Sequence, residues 1–154
     1  MPADASANIP KDSLIFGYGP MLPFLAAALG AWLLPPPWPH LARDMAILWG
    51  ALILAFLAGV RRGFGFGAPQ ASANVAIATM LLYFIGAGAA LLLTWLTMPV
   101  AALALLLASY LLVPALDRHA ALTGNAPAHF AKLRPPQMIL AALSLAALLL
   151  RDLI

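Results

Sequence analysis

"ALALLLASYLLVPAL", Ala102 to Leu116, decides how this chain folds. It carries no charge, and Ser109 and Tyr110 are its only polar side chains. A helix on the surface of a water-soluble domain shows a polar stripe opposite its apolar face. Wound as a helix, this stretch shows none. "MILAALSLAALLL", Met138 to Leu150, repeats the pattern with a single serine. Helices of this kind need apolar surroundings on every side, which a soluble helix bundle does not supply.

The rest of the chain agrees. Hydrophobic residues make up 64% of its 154 residues and mean hydropathy is +0.97, against roughly 45–50% apolar content in ordinary soluble domains. Too few polar side chains remain to cover a water-facing surface, so hydrocarbon must cover it. Crossing about 30 Å of hydrocarbon takes about 20 helical residues. Five segments qualify: residues 14–34, 43–62, 74–96, 99–116 and 136–152. The expected architecture is therefore all-α, a polytopic membrane helical bundle of about five transmembrane helices. A short tail, residues 1–13, precedes a single transmembrane domain, 14–154.

Local signals set the expected ends. Pro35, Pro36 and Pro37 close the first span, since proline cannot continue a helix. Ser72 is placed to cap the third, Thr97 to cap the fourth with Pro99 at its first position, and prolines open the fifth. Pro20 and Pro23 are expected to break the start of the first span, and Pro114 to kink the fourth. The first apolar run is too long for a secretory signal peptide, and "WLLPPPWPH" lacks the small-x-small cleavage pattern.

Charge sets the expected orientation. With five spans, Lys11, Arg61, Arg62, Arg118, Lys132 and Arg134 fall on one side, and only Arg43 and Arg151 on the other. Short loops rich in Lys and Arg stay in the cytoplasm, so the N-terminus is expected inside and the C-terminus outside. Trp32, Trp38, Trp49 and Trp95 fall mostly near expected ends, where indole rings favour the interface. The net charge of +3 thus reads as topology and contact with anionic lipid, not as a nucleic-acid footprint. Arginine-heavy basic usage with abundant Ala, Leu and Pro points to a GC-rich bacterial genome.

At "ALILAFLAGVRRGFGFG", Ala51 to Gly67, the sequence resembles a family of small membrane proteins catalogued as domain of unknown function 3429. The relatives implied are bacterial inner-membrane proteins and mitochondrial transmembrane protein 69. Phe56, Leu57, Gly59, Val60, Arg61 and Gly63 match the family's span-ending pattern. Pro23 and Phe24 match its opening, and Tyr110, Asp117, Pro127, Leu133 and Arg134 its late segment. Arg62 stands where tryptophan is usual, and Ala58 where glycine is usual. The resemblance implies a compact helical membrane domain and no particular chemistry.

The remaining motifs are weighed against plainer readings. "GFGFG" lacks the G-x-G-x-x-G spacing of a dinucleotide site. Its glycines are read as ending the second span, with Phe64 and Phe66 dipping into the interface. Arg61, Arg62, Arg118, Lys132 and Arg134 are the candidate contacts for anionic lipid or a partner. Asp117, His119 and His129 are the conceivable metal ligands. Their spacing matches no known ligand set, and Asp117 is expected to pair with its neighbour Arg118. In "PAHFAKLR", Phe130 and Leu133 are expected to face lipid while His129, Lys132 and Arg134 face headgroups and water. Gly59/Gly63, Ala26/Gly30 and Gly86/Ala90 are read as internal packing pairs.

No span places an ionisable residue near its middle, where ion-coupled transporters need one. No nucleophile stands beside a base at a catalytic spacing, and the chain has neither cysteine nor glutamate. No cofactor or metal is expected. The leading reading is a non-enzymatic accessory, structural or assembly component of a larger membrane complex. The alternative is a small transporter or channel for a neutral or lipid-like solute, with a polar path past Thr79, Tyr83 and Tyr110. A lipid-handling enzyme using His119 and His129 is the third.

Overall fold

A computed structural model describes residues 11–154, so the tail is described only from Lys11 and residues 1–10 lie outside. The described residues form helices α1 (Lys11–Tyr18), α2 (Leu22–Leu33), α3 (Trp38–Gly67), α4 (Ala73–Trp95), α5 (Pro99–Leu122) and α6 (Phe130–Leu153). A single 3-10 turn, Gly19–Met21, joins α1 to α2, so the first span is interrupted where Pro20 and Pro23 were expected to break it. Counting α1 and α2 as one, five segments are long and apolar enough to cross a membrane, and no described residue is in a strand.

Several boundaries move outward from the sequence reading. The helix of the second span does not stop at Arg62 but continues through Gly63 and Gly65 to Gly67. One reason is contact: a Cβ at Gly65 would lie 3.2 Å from Ala76 Cβ, so glycine lets α4 approach closely. The fourth helix runs two turns past Leu116, to Leu122. The fifth begins at Phe130, with Pro135 and Pro136 inside it rather than opening it. They fall in its second turn, where their missing N–H groups leave only the carbonyls of Ala131 and Lys132 without helical partners.

Ser72 caps α4 as expected, its Oγ accepting from the Val75 N–H at 3.4 Å. Thr97 does not cap α5. It sits in the left-handed region at φ 59° in the tight α4–α5 turn, and its hydroxyl donates to the Leu96 carbonyl. Met98 holds the cap position instead, with Pro99 first in the helix as expected.

The helices run alternately up and down, with α3 against α4, α5 against α6, and α2 lying on α3 and α6. Small residues let the backbones close up. Ala87, Ala90, Ala102 and Ala141 are buried beside Leu54, Leu103, Leu106 and Leu145. Tyr110 lies at the centre, fully buried, donating to the Gly50 carbonyl at 2.9 Å and meeting Phe24 edge-on at 5.3 Å between ring centroids. Trp49 Nε1 donates to the Pro20 carbonyl where the first span is broken, so it is a packing residue and not an interfacial one.

The polar ends are tied differently. At one end, Arg43 pairs with Asp44 and with Asp152, joining α3 to α6, and Trp32 Nε1 donates to the Ala147 carbonyl. At the other lie Ser13, Arg61, Ser72, Asn125 and His129. Lys11 and Ile154 are therefore at opposite ends of the bundle.

Candidate functional site

Four polar side chains from four helices converge at the end opposite Arg43. Asp117, on the added turns of α5, is completely buried. Its Oδ1 accepts the Tyr83 hydroxyl from α4 at 2.9 Å and lies 3.5 Å from Arg61 Nε on α3. Its Oδ2 lies 3.2 Å from Arg134 Nε on α6. Arg61 is 1% exposed and Arg134 7%. Asp117 therefore pairs across the bundle with Arg61 and Arg134, and not with Arg118, which is exposed.

The pairing is electrostatic before it is directional. Neither guanidinium N–H on the Asp117 side is aligned well enough for a hydrogen bond, and Arg61 Nη2 has no partner either. Arg61 Nη1 donates to the Asn125 carbonyl at 2.8 Å. Asn125 in turn accepts the Ser72 N–H at 2.7 Å, and its own N–H reaches the Ala120 carbonyl. The α5–α6 turn, with Gly124 at φ +76°, is thus tied to α3 by Arg61 and to the start of α4 by Ser72. Arg134 lies with its Cζ 4.2 Å from the Phe130 ring centroid, which gives the cation an aromatic face.

Two guanidiniums and one carboxylate leave this cluster with one excess positive charge. Arginine does not deprotonate in proteins, so burial cannot neutralise it. Beside the cluster, Gln137 is also fully buried, and neither atom of its amide has a partner. A Cβ at Gly17 would collide with that amide, so glycine at 17 is what lets α1 lie over it.

A crevice of about 170 Å³ opens here between α1, α3 and α6, with Arg134 in its wall. Ser13, Phe16, Phe56, Val60 and Leu133 line it as well. At its rim Ser13 Oγ and His129 Nε2 share a hydrogen bond of 3.4 Å. Burial, and then the nearby charge of Arg134, hold His129 below the usual histidine pKa.

Of the five basic residues singled out in the sequence, the fold brings together Arg61 and Arg134. Arg62 stacks on Phe66 at 3.9 Å, one turn on, while Arg118 and Lys132 are exposed. In "PAHFAKLR" Phe130 and Leu133 are buried rather than lipid-facing and Arg134 is buried with them rather than in water, while Lys132 is exposed as expected. The reason is that this segment is the first turn of α6 and packs into the bundle. The conceivable metal ligands are not assembled, and among the described residues no group of three His, Asp or Glu side chains could hold an ion.

The motif positions divide. Phe24 is wholly buried against Tyr110 while Pro23 is exposed. Phe56, Gly59 and Gly63 form an outward face of α3, with no atom within 4 Å of a Cβ at either glycine. Gly59 and Gly63 are therefore not an internal packing pair. Gly86 and Ala90 are, with Ser109 and Leu54 close to Gly86 and Ala90 fully buried. Pro127 is half-buried in the α5–α6 turn.

Residues 9–150 match the family described as Protein of unknown function (DUF3429). No curated protein and no solved structure matches the chain. With nearly its whole length matched, the chain belongs to that family.

Proposed function

We propose that this family member is an accessory or assembly component of a bacterial inner-membrane complex, seated with its basic end in the cytoplasm. The observation that carries this reading is how the interior polar groups are used. Tyr83 donates to Asp117, Tyr110 to the Gly50 carbonyl and Thr79 to the Val75 carbonyl. These are the side chains a hydrated solute path would need, and each is taken up inside the bundle among Ala and Leu. That favours a rigid scaffold over a transporter.

The outer face of α3 fits the same reading. Gly59 and Gly63, one turn apart, are flanked by exposed Phe56 and Phe66. Close approach of another helix over such small residues is a standard mode of association in hydrocarbon.

Photo-crosslinking in intact membranes tests it. A photoreactive residue replacing Phe56 or Phe66, the exposed aromatics beside Gly59 and Gly63, is expected to give one discrete protein adduct, while the same probe at Leu143, on the exposed side of α6, gives none. Lipid adducts alone from α3, with a chain that runs alone and monodisperse in mild detergent, would refute the reading.

A further inference from the structure

From the crevice beside Arg134 we infer a binding site for the headgroup phosphate of an anionic phospholipid, entered sideways between α1, α3 and α6. Three observations carry it. The first is charge: the cluster of Arg61, Asp117 and Arg134 is buried with a surplus cation, and among the described residues no carboxylate besides Asp117 lies within 4 Å of either arginine. A buried surplus charge is unfavourable unless an opposite charge and hydrogen bonds reach it.

The second is direction. Arg134 turns its Nε to Asp117. Its two terminal nitrogens make no hydrogen bond to a described residue, and the side chain forms part of the crevice wall. The remaining edge of this planar guanidinium, with its two terminal N–H groups, matches a phosphate oxygen pair. Ser13 Oγ, at the same mouth, is a second donor when His129 Nε2 carries the proton of the hydrogen bond they share.

The third is the lining. Apart from Ser13 and Arg134 the walls are Phe16, Gly17, Phe56, Val60, Phe130 and Leu133. Phe16 and Phe56 are exposed. A free phosphate ion would gain nothing from them, whereas acyl chains lie along them without leaving hydrocarbon. The site so described is amphipathic, and a phosphodiester lipid is the ligand class that satisfies both halves.

The test uses the full chain, purified in detergent, stripped of lipid and offered phosphatidylglycerol and phosphatidylcholine of identical chains, with retention read by native mass spectrometry. Both lipids carry the phosphodiester, but the choline cation of phosphatidylcholine adds a positive charge beside a cluster that already has one in surplus, so phosphatidylglycerol is expected to be retained about ten-fold better. Arg134→Gln and Ser13→Trp are each expected to abolish the preference, and Arg118→Gln to leave it intact. Should Arg134→Gln fail to fold, Ser13→Trp decides, because it fills the mouth and leaves the ionic cluster untouched. Equal retention of the two lipids, or a preference that survives Ser13→Trp, would overturn the site. Displacement of the lipid by inorganic phosphate would overturn its assignment to lipid.

Discussion

Arg61 of α3 and Asp117 of α5 face each other across 3.5 Å, the first 1% exposed and the second not at all. Arg134 shares the same carboxylate from α6. One acidic side chain therefore holds two cations, and the three helices converge on it. Its removal is not equivalent to removal of either arginine. Asp117→Asn leaves two buried guanidiniums facing each other, whereas Arg134→Gln leaves a neutral pair. Asp117→Asn is expected to destabilise the protein by about 3–5 kcal/mol, the cost of breaking a buried ion pair from one side. Arg134→Gln should cost clearly less, and Arg118→Gln nothing measurable. Thermal unfolding in detergent ranks the three, and an Asp117→Asn protein as stable as Arg118→Gln would refute the role of Asp117.

Much of the fold could be read from residues such as Ala102–Leu116 because hydrocarbon admits little but apolar side chains, and length then counts the spans. The cluster was not legible in the same way. Arg61, Asp117 and Arg134 lie near helix ends, where a charged side chain that snorkels outward and one that pairs inward look alike in sequence. No periodicity links residues on three different helices. The signal available was the family resemblance, whose matched positions included all three. The open glycines of α3 were misread for a related reason: spacing shows that Gly59 and Gly63 share a face, not which neighbour that face meets.

Orientation is open to a direct experiment, since the chain has no cysteine. Lys132 and Thr97 are exposed at opposite ends of the bundle. In intact cells, Thr97→Cys is expected to react with a membrane-impermeant maleimide and Lys132→Cys only after permeabilisation. The reverse pattern would invert the assigned topology, and labelling of both from outside would break it.

His129 gives the bundle a sign for its response to acid. Burial and Arg134 hold its pKa in the folded protein below the usual 6.5, so at higher pH both folded and unfolded states carry it neutral. As pH falls below about 6.5 the unfolded state takes up the proton first, and stability declines until the folded pKa is passed. Melting temperature is therefore expected to drop as pH falls through about 6.5, and His129→Gln to flatten that part of the profile. A wild-type curve that rises on acidification through this range would contradict the placement of His129 beside Arg134.

Gly50 and Gly59 lie on the same helix and should respond oppositely to enlargement. A Cβ at Gly50 would sit 3.1 Å from Leu106 Cδ1 and 3.3 Å from Phe24 Cε1, in a core already closed by Tyr110. Gly50→Val therefore overpacks the interior and is expected to cost about 1–3 kcal/mol. Nothing lies within 4 Å of a Cβ at Gly59, so Gly59→Val should leave the melting temperature of the isolated protein unchanged. If α3 docks a partner helix there, the same substitution removes the crosslinked adduct from membranes. Loss of the adduct without loss of stability identifies a face used by another protein. An unchanged adduct places the partner elsewhere, and loss of stability at Gly59 means that its surroundings are not open.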